Sequence, residues 1–330
     1  MQKRRTFGKR GGGPTYTRQP FDAGATQNYY IDLNTYTGRA YGSWITAGRA
    51  SAVSDANVVS GGKIINPVGV IESIVQDELI TGGGGTSIDV NTDSFDAAYD
   101  MRSGWQFDVS VFEQVRAFDL LNDLAFQSGC KVFFNFNKEL TIKAFDNSNS
   151  IDAYFVSEPT GLQESLNYGH ITGLLELQPT YLDDMYNAVQ VNYQYDYAKG
   201  IYLSNVYVNS STSNWATVTD TTAIAYCAAA ETNYGVTNKK YTFDARAIQD
   251  TTTAERLCNH IADRLTRRLY YARFQTGLDG IQIELGDFVN IQHHLVNTMW
   301  PSSYATKKWE VVGIKFLGAE MSYEITAIEV

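Results

Sequence analysis

At 330 residues and 44% hydrophobic, the chain is long enough for two compact domains with separate apolar cores, so core formation does not limit it. A formal net charge of -10 excludes general phosphate-backbone binding, which requires a clustered excess of Lys and Arg. Cys130, Cys227 and Cys258 are odd in number, widely spaced and without a C-x-x-C pair, which excludes a disulfide framework and a structural zinc site.

The chain opens on a local exception to its acidity. Met1 to Arg10 carries five cations, Lys3, Arg4, Arg5, Lys9 and Arg10, and no acid, then runs into Gly11-Gly12-Gly13-Pro14. No apolar h-region follows, so the segment does not read as a secretory signal. Its candidate role is contact with nucleic acid or an acidic partner surface, and the plain alternative is a solvated tail or a segment docked on a neighbouring subunit. Residues 1–62 mix small, polar and aromatic side chains, with short extended segments at Tyr29 to Leu33 and around Tyr41 to Ile45. No periodic face is long enough to bury, so this stretch is expected to be a Gly-rich arm ordered by its neighbours.

Sharper signals begin at Asn66, a good N-cap followed by Pro67, whose missing N–H costs nothing at the first helical position. Val70, Ile71, Ile74, Val75 and Leu79 then share one face, predicting an amphipathic helix that ends before Gly82 to Gly85. That run is broken by Glu72, Gln76 and Asp77 and is too short to span a bilayer, so no membrane insertion is expected. A second helix is predicted from Ser94 to Arg102, with Phe95, Ala98 and Tyr99 inward and Gly104 past its end, then a short strand on Trp105, Phe107 and Val109. Ser110 to Glu113 has capping-box spacing, and Val111, Val115, Phe118, Leu121 and Ala125 predict the buried stripe of a third helix. Lys131 to Phe136 and Leu140 to Phe145 flank Asn137-Lys138-Glu139 as a hairpin. Together residues 63–150 read as a small α/β module.

Residues 151–330 turn mostly to strand. Val189, Val191 and Tyr193 alternate with Gln190, Asn192 and Gln194, and Tyr202 to Val208 follow the turn at Lys199-Gly200. A short helix is predicted around Ala223 to Thr232, then a long one capped by Asp250 or Thr252, with Leu257, Ile261, Leu265 and Leu269 buried and Arg264, Arg267 and Arg268 at its C-terminal end. Strands are predicted at Ile281 to Leu285, Phe288 to Ile291, Trp309 to Ile314 and Tyr323 to Val330, pointing to a barrel or sandwich. The fold class is therefore α+β and strand-rich.

Each candidate for chemistry has a plainer alternative. Gly82 to Gly85 lack the Lys-Ser/Thr of a P-loop and follow a helix. His293 and His294, as strand neighbours, would point to opposite faces and fail to chelate one metal together. His170 and His260 stand outside any H-E-x-x-H frame, and no G-x-S-x-G elbow supplies a nucleophile. Asp183-Asp184 could serve glycoside hydrolysis, but two carboxyl groups are too weak a requirement to identify it. No catalytic residue, cofactor or metal is expected.

Asn66-Pro67 through Leu79, Ser94 to Tyr99 with Gly104 to Phe107, Ala117 to Cys130, Tyr186 to Tyr193, Ile248 to Leu257 and Leu285 to Ile291 form an ordered set of motifs across residues 63–330. This succession resembles the hub-domain proteins at the distal end of long-tailed bacteriophages, with their "N-P-x-x-I-I-x-x-I-L", "D-x-x-T-A-x-x-L-A" and "L-G-D-x-V-x-I" patterns. The resemblance implies a tail-tube-like β-barrel flanked by one long helix, opened by the Tyr186 to Tyr193 strand. It also implies a virion subunit, made in the host cytoplasm, that forms a ring, usually a trimer, between the tail tube and tape measure proteins and the fibre, spike or adaptor proteins. DNA would pass without specific binding, past lumen carboxylates that keep it centred within a Debye length of about 8 Å. Tyr and Trp would concentrate between subunits. Fuller hub proteins carry a first barrel upstream of the N-P helix, where this chain has its arm; either another protein supplies that layer or the ring is built differently. A glycan-binding or glycan-hydrolysing tail module is the alternative, and the hub of a contractile injection system is a third reading.

Overall fold

The computed structural model describes residues 58–59, 63–76, 88–109, 115–145, 151–156, 168–173, 175–215, 221–303 and 306–330. The Gly82 to Gly85 run, the Ser110 to Glu113 spacing and the basic arm lie outside them.

A short ladder of β1 (Val58–Val59) with β2 (Lys63–Ile64) leads into helix α1 (Pro67–Ile74). Asn66 starts α1 as expected: its Oδ1 accepts from Val68 N at 2.9 Å. Its Nδ2 also donates to the carbonyls of Tyr99 and Arg102, closing the end of helix α2 (Thr92–Met101). Leu79 lies outside the described residues; Val70, Ile71, Ile74 and Val75 are buried as predicted, whereas the expected solvent side of α1 is buried too, Glu72 included. The cause is packing on several sides, by α2 and by helix α3 (Ala117–Gln127). Gly69 is part of that fit, since a Cβ there would lie 3.0 Å from Ile64 and 3.1 Å from Tyr99.

Helix α2 begins earlier than expected, with Asn91 as its cap, while Phe95, Ala98 and Tyr99 are inward as predicted. Trp105, Phe107 and Val109 are buried, but they form one isolated bridge, Phe107 to Ile248, instead of a strand. Helix α3 starts at Ala117, later than the sequence suggests. It buries Leu121, Leu124 and Ala125 and leaves Val115 and Phe118 about half exposed, which corrects the predicted stripe. Strands β3 (Cys130–Phe134) and β4 (Leu140–Ala144) make the expected antiparallel hairpin, with Lys138 at φ 65 in its turn.

Strand β8 (Ala188–Asp196) is the centre of a three-stranded sheet, between β9 (Ile201–Asn209) and β10 (Lys240–Asp244). Helices α4 (Thr221–Tyr234) and α5 (Thr251–Leu265) cover its inner face, where Val189, Val191, Val206 and Val208 are buried. One apolar cluster joins α1–α3 and the β3–β4 hairpin to this sheet and its helices, so it draws on residues from 64 to 262.

The second core lies on a seven-stranded sheet of order β6-β5-β12-β13-β14-β11-β7. Its strands are β5 (Ala153–Val156), β6 (Tyr168–His170), β7 (Glu176–Pro179), β11 (Tyr270–Thr276), β12 (Phe288–Gln292), β13 (Trp309–Leu317) and β14 (Ser322–Glu329). The sheet curls into a half-barrel within a strand-rich α+β fold. At one corner the gap narrows, where Ile171 bridges Thr276 and Thr172 N donates to Gln275 O at 2.9 Å. Gly173 permits that approach, because a Cβ would come within 2.7 Å of the Gln275 amide oxygen. Two expectations fail here. Strand β8 opens the separate three-stranded sheet instead of the barrel, and Ile281 to Leu285 is no strand, its first residues ending a 3-10 turn at Leu278–Gln282.

Candidate functional site

None of the candidate arm residues, Lys3, Arg4, Arg5, Lys9 and Arg10, falls among the described residues. The candidates that do are not brought together. Asp183 and Asp184 are exposed in a 3-10 turn, and His170 is exposed at the end of β6. His293 and His294 are not strand neighbours: His293 caps the short helix α6 (His294–Met299) by accepting from Leu295 N, and the two rings lie 4.2 Å apart. Burial pushes the thiols of Cys227 up to about 11 and Cys258 up to about 12, so both stay protonated and poorly nucleophilic near neutrality. Among the described residues no group of three His, Cys, Asp or Glu could hold a metal ion, and no helix is long and apolar enough to cross a membrane.

The polar atoms of the motifs are committed to the chain itself. Arg102, which follows α2, donates to the carbonyls of Ser128, Gly129 and Phe145 at 2.6–2.8 Å and lies over Trp105. Asn187 ties β8 to its surroundings by donating to Glu231 and accepting from Lys239 N. Asp250 caps α5 by accepting from Thr253 N at 2.8 Å, and Thr253 Oγ1 accepts from Gln106 N at 2.9 Å, joining α5 to the Gly104-Trp105 segment. In the Leu285-Gly286-Asp287 turn, Gly286 takes φ +82 and Asp287 Oδ2 accepts from Glu284 N at 2.7 Å. A side chain that satisfies a buried main-chain group is held by the cost of leaving that group unpaired, which fits joints in a scaffold better than groups awaiting a substrate.

A charged joint connects the two cores, and sequence reading missed it. Lys131 and Lys143 stand directly opposite each other on β3 and β4. Like charges in that position repel unless acids meet them. The acids come from the seven-stranded side: Lys131 bonds Glu310 at 2.9 Å, and Lys143 bonds Asp287 and, at 3.2 Å, Glu284. Glu310 also receives Arg264 of α5 at 2.6 Å. Phe145 sits in the middle, with the Lys131 ammonium 4.7 Å and the Arg264 guanidinium 5.8 Å from its ring centre and His260 stacked at 6.0 Å. Burial, then the neighbouring Arg264, Arg102 and Lys131, hold the His260 imidazole down at about 4, against a smaller opposing pull from Asp263. The cross-strand Lys pair in a predicted hairpin was the available signal.

Apolar side chains also stand in solvent on several faces. Val115, Phe118 and Phe126 make a half-exposed stripe on and beside α3. Phe136, Phe316 and Met321 do the same near the β13–β14 turn, with Phe136 and Phe316 both in ring contact with Tyr323. A hollow of about 180 Å³ beside α3, lined by Phe126, Val132, Phe133 and Leu285 among others, has no carboxylate in its wall. It is smaller than the roughly 300 Å³ at which ligand pockets begin.

These features define a strand-rich α+β fold whose motif residues hold main chain in place. No family model matches the chain, and no curated protein does. Among solved structures it is similar to a chain of the virion of the native gene transfer agent particle, at 13% identity and TM-score 0.47, covering 86% of this chain and 51% of that one. It is similar to the 43 kDa tail protein of prophage MuSo2 from Shewanella oneidensis, at 12% identity and TM-score 0.43, covering 84% of this chain and 71% of that one. A tail protein from Neisseria meningitidis MC58 is similar at 11% identity and TM-score 0.39, covering 67% of this chain and 57% of that one. The chain thus spans 51% and 57% of two of these longer chains.

Proposed function

We propose that the chain is a structural subunit of a phage-type tail, a hub at the distal end that closes a ring, most simply a trimer, and joins the tail tube to fibre, spike or adaptor proteins. The observation that carries this reading is where the polar atoms of the motifs go. Asn66, Asn187, Asp250 and Asp287 all hold main chain in place. Meanwhile apolar side chains such as Phe118, Leu203 and Phe316 stay about half exposed. Exposed apolar surface of this kind is characteristic of a subunit whose burial is completed by others. In this reading the arm of residues 1–62 docks on neighbouring copies, and carboxylates line a passage that DNA crosses without being held.

The test is to express the chain with the tail tube and tape measure proteins from the same genome and to image the product by negative-stain electron microscopy. Rings that contain the chain, stacked at one end of tubes, are the expected result. A chain that remains free of rings and tubes in that mixture overturns the proposal. The glycan-directed alternative requires a cleft with converging acids, and the hollow beside α3 lacks them.

A further inference from the structure

The three-stranded sheet has two edges, and they are finished differently. Beyond β9 the chain folds back: Val208 bridges Ser213, Asn209 N donates to Thr212 O at 2.9 Å, and Tyr207 N donates to the Asn214 side chain at 2.7 Å. Beyond β10 no described strand follows. Lys239 O and Ala245 N make their main-chain bonds toward β8, to Ala188 N at 3.3 Å and Asn192 O at 2.8 Å. Strand alternation therefore turns the main-chain groups of Lys240, Thr242 and Asp244 to the open edge, and these three residues are exposed.

We propose that this edge pairs with the same edge of a second copy of the chain, antiparallel and two-fold about Thr242, forming a continuous six-stranded sheet from two three-stranded ones. In that register Thr242 faces Thr242, and each Lys240 faces the partner copy's Asp244. Registers centred on Lys240 or Asp244 would set like charges opposite. Those centred on Tyr241 or Phe243 lose both Lys240–Asp244 pairings, and the second sets Lys240 against Arg246. The Thr242 register alone uses all three outward residues and opposes every charge with its counter-charge, as cross-strand pairing favours.

The side chains are already arranged for it. Lys240 Nζ donates to Gln190 Oε1 at 3.1 Å, and Asn192 Nδ2 donates to Asp244 Oδ1 at 2.8 Å, so both charges are held over the sheet's outer face. On the inner face Tyr241 would meet Phe243 of the second copy. Half-exposed Phe126 already packs against Phe243 with ring centres 5.0 Å apart and planes tilted by 56°, so the apolar stripe of α3 borders the edge and extends the contact. A Lys on an open edge ordinarily guards against pairing. Here the matching Asp244, two residues beyond Thr242 as Lys240 is two before it, turns the guard into a self-complementary code. An isologous contact of this kind closes at two copies. It is distinct from a ring contact and describes the free subunit.

The experiment is analytical ultracentrifugation of the full chain over a concentration series, with three substitution variants and one deletion of residues 1–57. The wild type should sediment as a concentration-dependent dimer. T242P removes an outward N–H that β8 does not use, so it should weaken pairing while leaving the fold and its circular dichroism melt intact. K240D sets like charges opposite twice and should weaken the dimer about tenfold or more, and K240D/D244K should restore it. A wild type that stays monomeric throughout the series overturns the proposal, as does a dimer that survives both T242P and K240D. A dimer lost on deleting residues 1–57 yet indifferent to K240D would assign the contact to the arm and overturn it equally.

Discussion

Glu310 is 3% exposed at its side chain and is shared by Lys131 and Arg264. Removing its charge leaves two cations facing each other across Phe145. For a fully buried pair that loss costs about 3–5 kcal/mol, but Lys131 and Arg264 keep 36% and 18% of their side-chain exposure and can turn partly to water. Glu310→Gln is therefore expected to destabilise the chain by roughly 2–3 kcal/mol, read from urea unfolding midpoints at unchanged slope. His260 adds a pH dependence. Its folded value of about 4 lies below the ordinary 6.5, so above pH 6.5 neither state is protonated and there is no penalty. As pH falls from 6.5 to 4 the unfolded chain takes up a proton that the folded chain refuses, and stability declines. The residue keeps some solvent contact, so the loss is expected to be on the order of 2 kcal/mol, and His260→Gln should flatten that limb of the stability–pH curve.

Helix α5 shows what local sequence can and cannot convey at the scale of elements. Its cap and the burial of Leu257 and Ile261 follow the spacing that predicted them, because capping and periodicity are short-range, but the helix stops at Leu265, so Arg267, Arg268 and Leu269 lie past its end. Asp250→Ala should cost about 1–2 kcal/mol of stability, measured by thermal melting, since it frees the Thr253 amide at the helix start. Helix α3 was legible only in part. Phe118 and Phe126 fit a buried stripe by chemistry and are solvent-facing in the fold, as neighbours decide which apolar face is covered. The turn at Leu285-Gly286-Asp287 was visible as a motif, but the reason for its Asp, closing the turn and receiving Lys143, depends on a residue 144 positions away. The charged joint was hidden for the same cause: its cations and acids come from distant segments.

On the scale of the whole molecule, the strand-rich α+β class was readable and, beyond local hairpins such as β3–β4, the strand pairing was not. Strand β5 lies between β6 and β12, so Ala153 pairs with Val289, a partner no local pattern announces. Short strands such as β7 and β10, with alternating exposure and few β-branched residues, carry little signal of their own. The proposed ring and the proposed edge pairing make separable claims about the assembled and the free subunit. Mixing the wild-type dimer with tail tube protein should dissolve the dimer as rings form, a shift visible in the same sedimentation profile.

The non-local sheet has a consequence for how the chain is born. A ribosome releases residues 151–179, carrying β5, β6 and β7, long before β11 emerges to pair with β7 and β12 to pair with β5. The larger apolar cluster can condense once residue 262 has left the exit tunnel, while β5 still waits for β12. Translation arrested in the last quarter of the message should therefore yield a nascent chain in which the segments of the larger cluster, such as those around Ile71 and Val191, resist protease while residues near 151–179 are cut first.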